Sequence, residues 1–283
     1  MHSRELGLVL AQQLLGVEDL HYGLWDADLE LKLGNLAVAQ QRYNDMLIAQ
    51  LPRPEREIRV LDVGCGTGHL LRQLLDRGYR ADGVIPAKDL CDAVRRRLAG
   101  CGGYRPRIHE CRFEDFTAGP WRGHYDVTLF SESFQYISPS ISLPILQAIL
   151  KPGGLLVIAD FFKTGASGDG GVGDESFGGG HPLQEFYTSM KRTPFVLVKD
   201  EDITPRVSPN IELVNDLLTH RIKPATLTIG RYMEGRYPLL VRLALALLRK
   251  KLDKANYKYF SGHRCREVFE RYKTYRLLLY RLP

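Results

Sequence analysis

Residues 60–70 read VLDVGCGTGHL, an apolar run that ends on Asp62 and breaks at once into Gly64, Gly66 and Gly68. HLLRQLLDRG follows with the leucine spacing of a helix. Glycines at alternate positions let the backbone turn tightly and approach a ligand where a Cβ would collide. The helix start beyond them offers unpaired N–H groups and a partial positive charge. Asp62 adds a carboxylate at the strand end. The loop therefore suits a ligand with one anionic end and one cationic or hydrogen-donating end. A dinucleotide fingerprint would read G-x-G-x-x-G, whereas the spacing here is G-x-G-x-G. A P-loop would need Gly-Lys-Ser/Thr, and Gly68 is followed by His69. Neither phosphate-binding pattern matches.

The segments around the loop extend the same pattern. Polar PRPERE leads into the strand IRVLDVG, RADGVI reads as a second strand, and KDLCDAVRRRL as the second helix. RPRIHECRF reads as a third strand and YDVTLFSES as a fourth; LPILQAILKPGGLLVIADFF reads as a helix, a tight turn and a fifth strand. Strands alternating with helices imply parallel pairing, right-handed crossovers and a doubly wound α/β sheet with its ligand at the strands' C-terminal ends. Upstream, LGLVLAQQLLG and DADLELKLGNLAVAQQRYNDMLIAQL read as helices with HYGLWD between them. Beyond Phe162, glycine-rich KTGASGDGGVGDESFGGG reads as a mobile loop or lid. HPLQEFYTSM and SPNIELVNDLL read as helices, FVLVKDEDIT contains a sixth strand, and YKTYRLLLYRLP is a closing strand. PLLVRLALALLRKKLDK reads as a strongly amphipathic or buried helix with a basic end. The expected division is a helical N-terminal segment or lid over 1–57 and a cofactor-binding core over 58–162. A loop and substrate-cap region over 163–256 and a closing strand region over 257–283 complete it.

At 283 residues, 44% hydrophobic and 25% charged, the chain has the make-up of a globular protein with room for one large domain and an appended cap. No run approaches the ~18 apolar residues of a membrane span. MHSRELGLVLAQQLLG carries Glu5 and two glutamines and lacks a signal-peptide core and cleavage site. Five cysteines without a CxxC pair argue against a disulfide framework and a zinc knuckle, so no metal is expected and a reducing cytoplasm is the expected location. Eleven Lys and Arg against three Asp and Glu lie from Arg249 onward, which places the whole net charge of +6 in the tail. Such a tail attracts nucleic acid, anionic lipid or an acidic substrate, or is a solvated face.

With LDVGCGTG, LKPGG before a strand and the terminal YRLLLYR in place, the chain resembles a class I S-adenosylmethionine-dependent methyltransferase of the small-molecule type over residues ~40–283. The resemblance implies a Rossmann-like, seven-stranded, mostly parallel sheet with a helical N-terminal segment and an inserted cap. It also implies S-adenosyl-L-methionine as cofactor, with Asp62 meeting its amino end and Gly64, Cys65, Gly66 and Gly68 around it. DEDIT resembles a segment of methyltransferases acting on quinones, sterols and methylamine-type osmolytes. HYGLWD resembles the N-terminal segment of cyclopropane-synthase and sterol-type enzymes, where a tyrosine closes over the cofactor. That makes Tyr22 and Gln40 cofactor or lid candidates; aromatic packing of Tyr22 and Trp25 at a helix corner is the alternative.

The chain departs from the family at two positions. The second strand normally ends in an acid that grips the ribose, and here Ile85 and Pro86 stand in that cofactor position. Asp82 comes three residues early and faces the other side of the sheet by alternation, and Asp89 lies a turn into the next helix. The acid that accepts from the adenine amino group would align near Arg112, which cannot accept, leaving Glu114 or Asp115. The fourth strand ends in SESFQYI, without the DPPY- or NPPY-like run of nucleic-acid amino-methyltransferases, so Ser131 and Glu132 sit where methyl donor and acceptor meet.

Methyl transfer from a sulfonium is an in-line displacement that needs alignment and, for a hydroxyl or carbon acceptor, a base. Glu132, Tyr136 and His181 are the candidate catalytic residues, His181 through closure of the glycine-rich loop. The LALALL helix and aromatic-rich flanks suggest a small-molecule acceptor of lipid-like or aromatic character, with a peripheral membrane or lipid contact as an option. An RNA- or protein-directed methyltransferase using the basic tail is the alternative, although a nucleic-acid partner is disfavoured; a non-catalytic cofactor-binding module is another. A nicotinamide oxidoreductase conflicts with the glycine spacing and with the missing acid after the second strand.

Overall fold

The computed structural model describes residues 16–19, 21–101 and 103–283. Most of LGLVLAQQLLG lies outside the described residues. Seven strands form one sheet: β1 Arg59–Val63, β2 Arg80–Val84, β3 Ile108–His109, β4 Tyr125–Ser131, β5 Leu150–Lys163, β6 Val196–Asp202 and β7 Lys273–Arg281. Their order is β3-β2-β1-β4-β5-β7-β6. The first five strands pair in parallel, and β7 runs antiparallel to both β5 and β6. This is the Rossmann-like α/β sheet expected from the strand–helix alternation. Strands β1 and β4 are buried along almost their whole length, which is why they read as near-continuous apolar runs rather than alternating ones. Strand order reverses beside β1, so the β1 and β4 ends open a crevice on one edge of the sheet.

Nine helices flank the sheet among the described residues, besides short turns: α1 Leu36–Ile48, α2 His69–Asp76, α3 Lys88–Leu98, α4 Pro139–Ile149, α5 Leu183–Met190, α6 Pro209–Asp216, α7 Lys223–Arg236, α8 Pro238–Phe260 and α9 Arg266–Tyr272. Helix α2 follows the glycine loop and buries Leu70, Leu71 and Leu74. Those leucines recur at helical spacing, so one face docks on the sheet while Arg72 and Asp76 pair in solvent.

Several expectations are corrected. The helix expected from Asp26 starts only at Leu36, after a short turn at Leu33–Asn35. Leu31 and Leu33 are exposed, and only Leu29 of that stretch packs beside Trp25 and Leu36. The expected third strand shrinks to Ile108 and His109, because Pro106 cannot donate to a ladder and the Arg107 N–H is taken by Asp82 Oδ1 at 2.8 Å. The tight turn expected between α4 and β5 falls inside the head of β5: Gly153 lies at φ +78°, and the register against β4 jumps from Tyr125–Leu150 to Val127–Leu155. The glycine-rich stretch after Lys163 is pinned rather than free. Asp169 accepts from Arg271 Nη2 at 2.7 Å and from Tyr272 OH at 3.0 Å, Asp174 accepts from Gly168 N at 3.0 Å, and Lys273 Nζ donates to Gly179 O at 2.6 Å. Helix α8 is not buried: Leu239 is 78% and Leu247 76% exposed. No helix among the described residues is long and apolar enough to cross a membrane.

Candidate active site

The crevice beside β1 deepens into a cavity of about 460 Å³. Asp62, Gly64, Cys65, Gly66 and Thr67 line one side, followed by Leu70 at the start of α2. Ser131, Glu132, Gln135 and Tyr136, from the end of β4 and the turn after it, form the next wall. Asp19, His21 and Tyr22 cover the top, and Phe161, Phe177, Gly178, Gly179 and Arg264 close the remaining side.

The glycine loop has the backbone its composition requires. Gly64 lies at φ +79°, and a Cβ there would come within 2.4 Å of Ser133 Cβ. Gly66 lies at φ +51° with nothing nearer to a Cβ than Gly64 O at 3.9 Å, so it presents bare backbone to open space. Gly68 does not line the cavity; it starts α2 in the left-handed region against Val94.

Asp62 is 2% exposed, and among the described residues its carboxylate accepts no hydrogen bond. Burial, reinforced by the negative charge of Asp19, raises its carboxyl to about 7. Asp19 is the opposite case. Burial works against its charge, but hydrogen bonds and charges from His21 and His69 outweigh it and hold the carboxyl well below the usual range. His69 Nδ1 lies 2.7 Å from Asp19 Oδ2, and Asn44 Nδ2 donates to the same oxygen at 2.8 Å. Gln40 is buried beside this cluster without lining the cavity, and its Nε2 donates to Asp19 O (3.2 Å) and His21 O (2.8 Å). Its amide ties the backbones of Asp19 and His21 beside the cavity.

Among the described residues Glu132 is the non-glycine residue with positive φ, at +53°, a conformation that costs on the order of 1 kcal/mol and is maintained by the surrounding contacts. Its Oε1 accepts from Tyr22 N and from Tyr275 OH, both at 3.0 Å. Tyr275 OH in turn shares a 2.7 Å hydrogen bond with Tyr43 OH. Burial raises the Glu132 pKa against the opposing charge of His21 and these hydrogen bonds. Tyr22 therefore reaches the cavity through both its backbone and its ring, which also packs edge-on against Phe269. Tyr136 lies at the rim, 65% exposed. Gln135 is oriented by buried Asp160, which accepts from Gln135 N at 2.9 Å and Nε2 at 3.2 Å.

The structure leaves four further expected residues outside the cavity. His181 points its Nε2 at Phe134 O, 3.0 Å away, and packs edge-on against the Phe134 ring. Ile85 is buried in the core below the loop, and Pro86 is exposed. Glu114 takes a 2.9 Å hydrogen bond from Arg112 Nη2 away from the lining. Asp82 does face the far side of the sheet, accepting from Tyr104 OH at 2.9 Å and Tyr125 OH at 3.2 Å. Conversely, Asp19, His21, Thr67, Leu70, Gln135, Phe161, Phe177 and Arg264 line the cavity without having been singled out. Asp19 and His21 had a local signal, since His21 opens HYGLWD and Asp19 lies two residues before it. Phe177 and Arg264 had none, because only folding brings their loops to the β1 edge.

The family described as methyltransferase domain matches residues 37–184, just over half of the chain. An uncharacterized methyltransferase of Mycobacterium tuberculosis is 28% identical over 133 residues, 46% of this chain and 51% of that protein, so the chain spans about half the length of that curated relative. A sterol 4-C-methyltransferase of Caenorhabditis elegans is 30% identical over 125 residues, 41% of this chain and 35% of that protein. Among solved structures, geranyl diphosphate C-methyltransferase from Streptomyces coelicolor A3(2) superposes with a TM-score of 0.68 at 17% identity, covering 97% of this chain and 92% of that one. That likeness is one of fold.

Proposed function

This chain belongs to the methyltransferase-domain family, whose cofactor is S-adenosylmethionine, and we propose that it transfers a methyl group to a small-molecule acceptor of lipid-like or aromatic character. One observation carries the reading: the buried carboxylate of Asp62, without a hydrogen-bond donor among the described residues, faces a cavity beside the bare backbone of Gly66. A cationic amino group is the partner such a carboxylate lacks. The cavity thus fits the methionine end of the cofactor. Asp62, Gly64, Cys65 and Gly66 would hold that end, with Tyr22 and Ser131 alongside. Bound S-adenosylmethionine supplies an activated methyl group on a sulfonium.

The chain's own residues supply alignment, dryness and a place for a proton. Tyr22 and Tyr275 occupy Glu132 Oε1, which leaves Oε2 to take a proton from an acceptor hydroxyl or carbon. A pKa raised by burial brings this carboxylate nearer to the operating range of a base. Phe161, Phe177 and Leu70 offer the acceptor apolar contact, and Tyr136 flanks the mouth. The sterol and geranyl diphosphate named for the two relatives support a small-molecule acceptor. The exposed leucines of α8, followed by Arg249, Lys250 and Lys251, support a peripheral lipid contact.

The RNA-directed reading draws less support from the tail, because four of its eleven basic residues are internally engaged. Arg266 pairs with Glu270, Arg271 with Asp169 and Arg276 with Asp200, while Lys273 is buried. Calorimetric titration with S-adenosylmethionine, S-adenosylhomocysteine and NAD tests the cofactor, and labelled-methyl transfer to a metabolite and lipid extract identifies the acceptor. Absence of S-adenosylmethionine binding at millimolar concentration sinks the proposal. A Gly66→Val chain that bound normally would refute the placement of the site.

A further inference from the structure

Arg264 lines the cavity. Among the described residues no carboxylate lies within ion-pair distance of it, whereas Arg266, Arg271 and Arg276 along the same tail each hold one. Among the described residues its one hydrogen bond is a long one, Nη1 to Ser176 O at 3.4 Å. It sits over two aromatic rings: Cζ lies 5.0 Å from the Phe177 ring centre and 5.4 Å from that of Tyr259. Cation–π contacts of this kind hold a guanidinium in place without consuming its N–H donors. The remaining charged lining residues are acids, Asp19, Asp62 and Glu132, with His21 among them. The cavity is therefore polarised, with carboxylates around the glycine loop and a pre-oriented cation across from them.

We propose that the methyl acceptor carries an anionic group, a carboxylate or a phosphate, and that Arg264 binds it. The proposal rests on the methyl-transfer reading for the identity of the acceptor. A planar fork of N–H donors matches either anion bidentately, and such charge-assisted pairs are strongest where water is partly excluded. Phe177 has two roles here: its ring stacks on Arg264 and lines the space for the apolar part of the same molecule. The acceptor is thus an amphiphile with one acidic end, oriented by Arg264 so that its other end points toward Glu132.

The test is calorimetric titration of the full chain, saturated with S-adenosylhomocysteine, with octanoate, octyl phosphate and octanol. Wild type is expected to bind one of the two anions at least ~10-fold more tightly than octanol. Whichever anion wins distinguishes carboxylate from phosphate. Arg264→Gln removes the preference, Arg264→Lys retains part of it, and both keep the S-adenosylhomocysteine affinity within about threefold. Octanol binding as tightly as both anions to wild type overturns the proposal without recourse to any variant. So does a preference that survives Arg264→Gln. Loss of the preference together with a ~10-fold weaker S-adenosylhomocysteine affinity assigns Arg264 to the cofactor's carboxylate instead. If wild type fails to bind S-adenosylhomocysteine, the methyl-transfer reading falls, and the same titrations on the chain alone still decide whether Arg264 is an anion site.

Discussion

Replacing Asp62 by Asn is expected to stabilise the ligand-free protein and weaken it as a cofactor binder. Burial holds the Asp62 carboxyl at about 7 in the folded chain, against about 3.9 when unfolded. The folded-state pKa is raised, so the contribution of this group to stability is fully present below pH ~4 and is lost as pH rises through ~7. At ~1.4 kcal/mol per pH unit the loss reaches ~1.5 kcal/mol at pH 5 and ~4 kcal/mol at pH 8. Asp62→Asn does not titrate, so its stability relative to wild type should grow by ~2.5 kcal/mol between pH 5 and pH 8, whatever constant offset the amide adds. Urea unfolding of both proteins at four pH values measures that growth directly. Affinity of the same variant for S-adenosylmethionine should fall by ~10-fold or more, since a hydrogen bond to a charged group contributes ~1.5–3 kcal/mol. In wild type a cationic ligand pulls the carboxyl back down, so binding near pH 7 should release a proton, visible as a buffer-dependent enthalpy. A stability difference that stays flat from pH 5 to pH 8 would show that Asp62 is not a buried, unpartnered acid, and the site reading would fail with it.

Gly64→Ala forces a Cβ to 2.4 Å from Ser133 at φ +79°, which should cost ~2–4 kcal/mol and lower the melting temperature by roughly 5–10 °C. Glu132→Gln should reduce kcat ~100-fold or more in a labelled-methyl assay while leaving S-adenosylhomocysteine affinity within about threefold. The His69–Asp19 pair should stabilise the cover over the cavity within a pH window. Asp19 has a depressed pKa, so its share disappears as pH falls below ~4; His69 has a raised one, so its share is lost as pH climbs past ~6.5. His69→Gln should accordingly destabilise most near pH 5 and least near pH 9, as read by thermal unfolding across pH.

Much of the fold was legible because its signals are local. VLDVGCGTG specifies strand, turn and helix within a few residues, and KDLCDAVRRRL shows its apolar stripe at helical spacing; the structure has α3 over Lys88–Leu98. Legibility failed where an outcome depended on distant partners. RPRIHECRF has strand-like content, yet Asp82 takes the Arg107 N–H that a longer strand would have used. The glycine-rich stretch after Lys163 lacks a periodic pattern, and Arg271, Tyr272 and Lys273, about a hundred positions away, pin it. For the site, the acids at the β1 and β4 ends were recognisable from position alone. His181 and Gln40 were not, since each side chain could turn either toward the cavity or toward a backbone carbonyl, and the carbonyl took both.

From its sequence alone this chain determined the glycine loop, the acid before it and the alternation of strands with helices, and its resemblance to a known family added the class of cofactor. The loop and the alternation follow from backbone freedom at glycine and from short-range periodicity, which need no knowledge of the rest of the molecule. Tertiary structure decided that, among the described residues, Asp62 is buried without a donor and Asp19 is buried with two, His21 standing beside it. It left α8 exposed and brought Arg264 and Phe177 to the cavity from separate loops. Solvation and charge at a site are sums over everything packed around it, so they exist only once the chain has closed on itself.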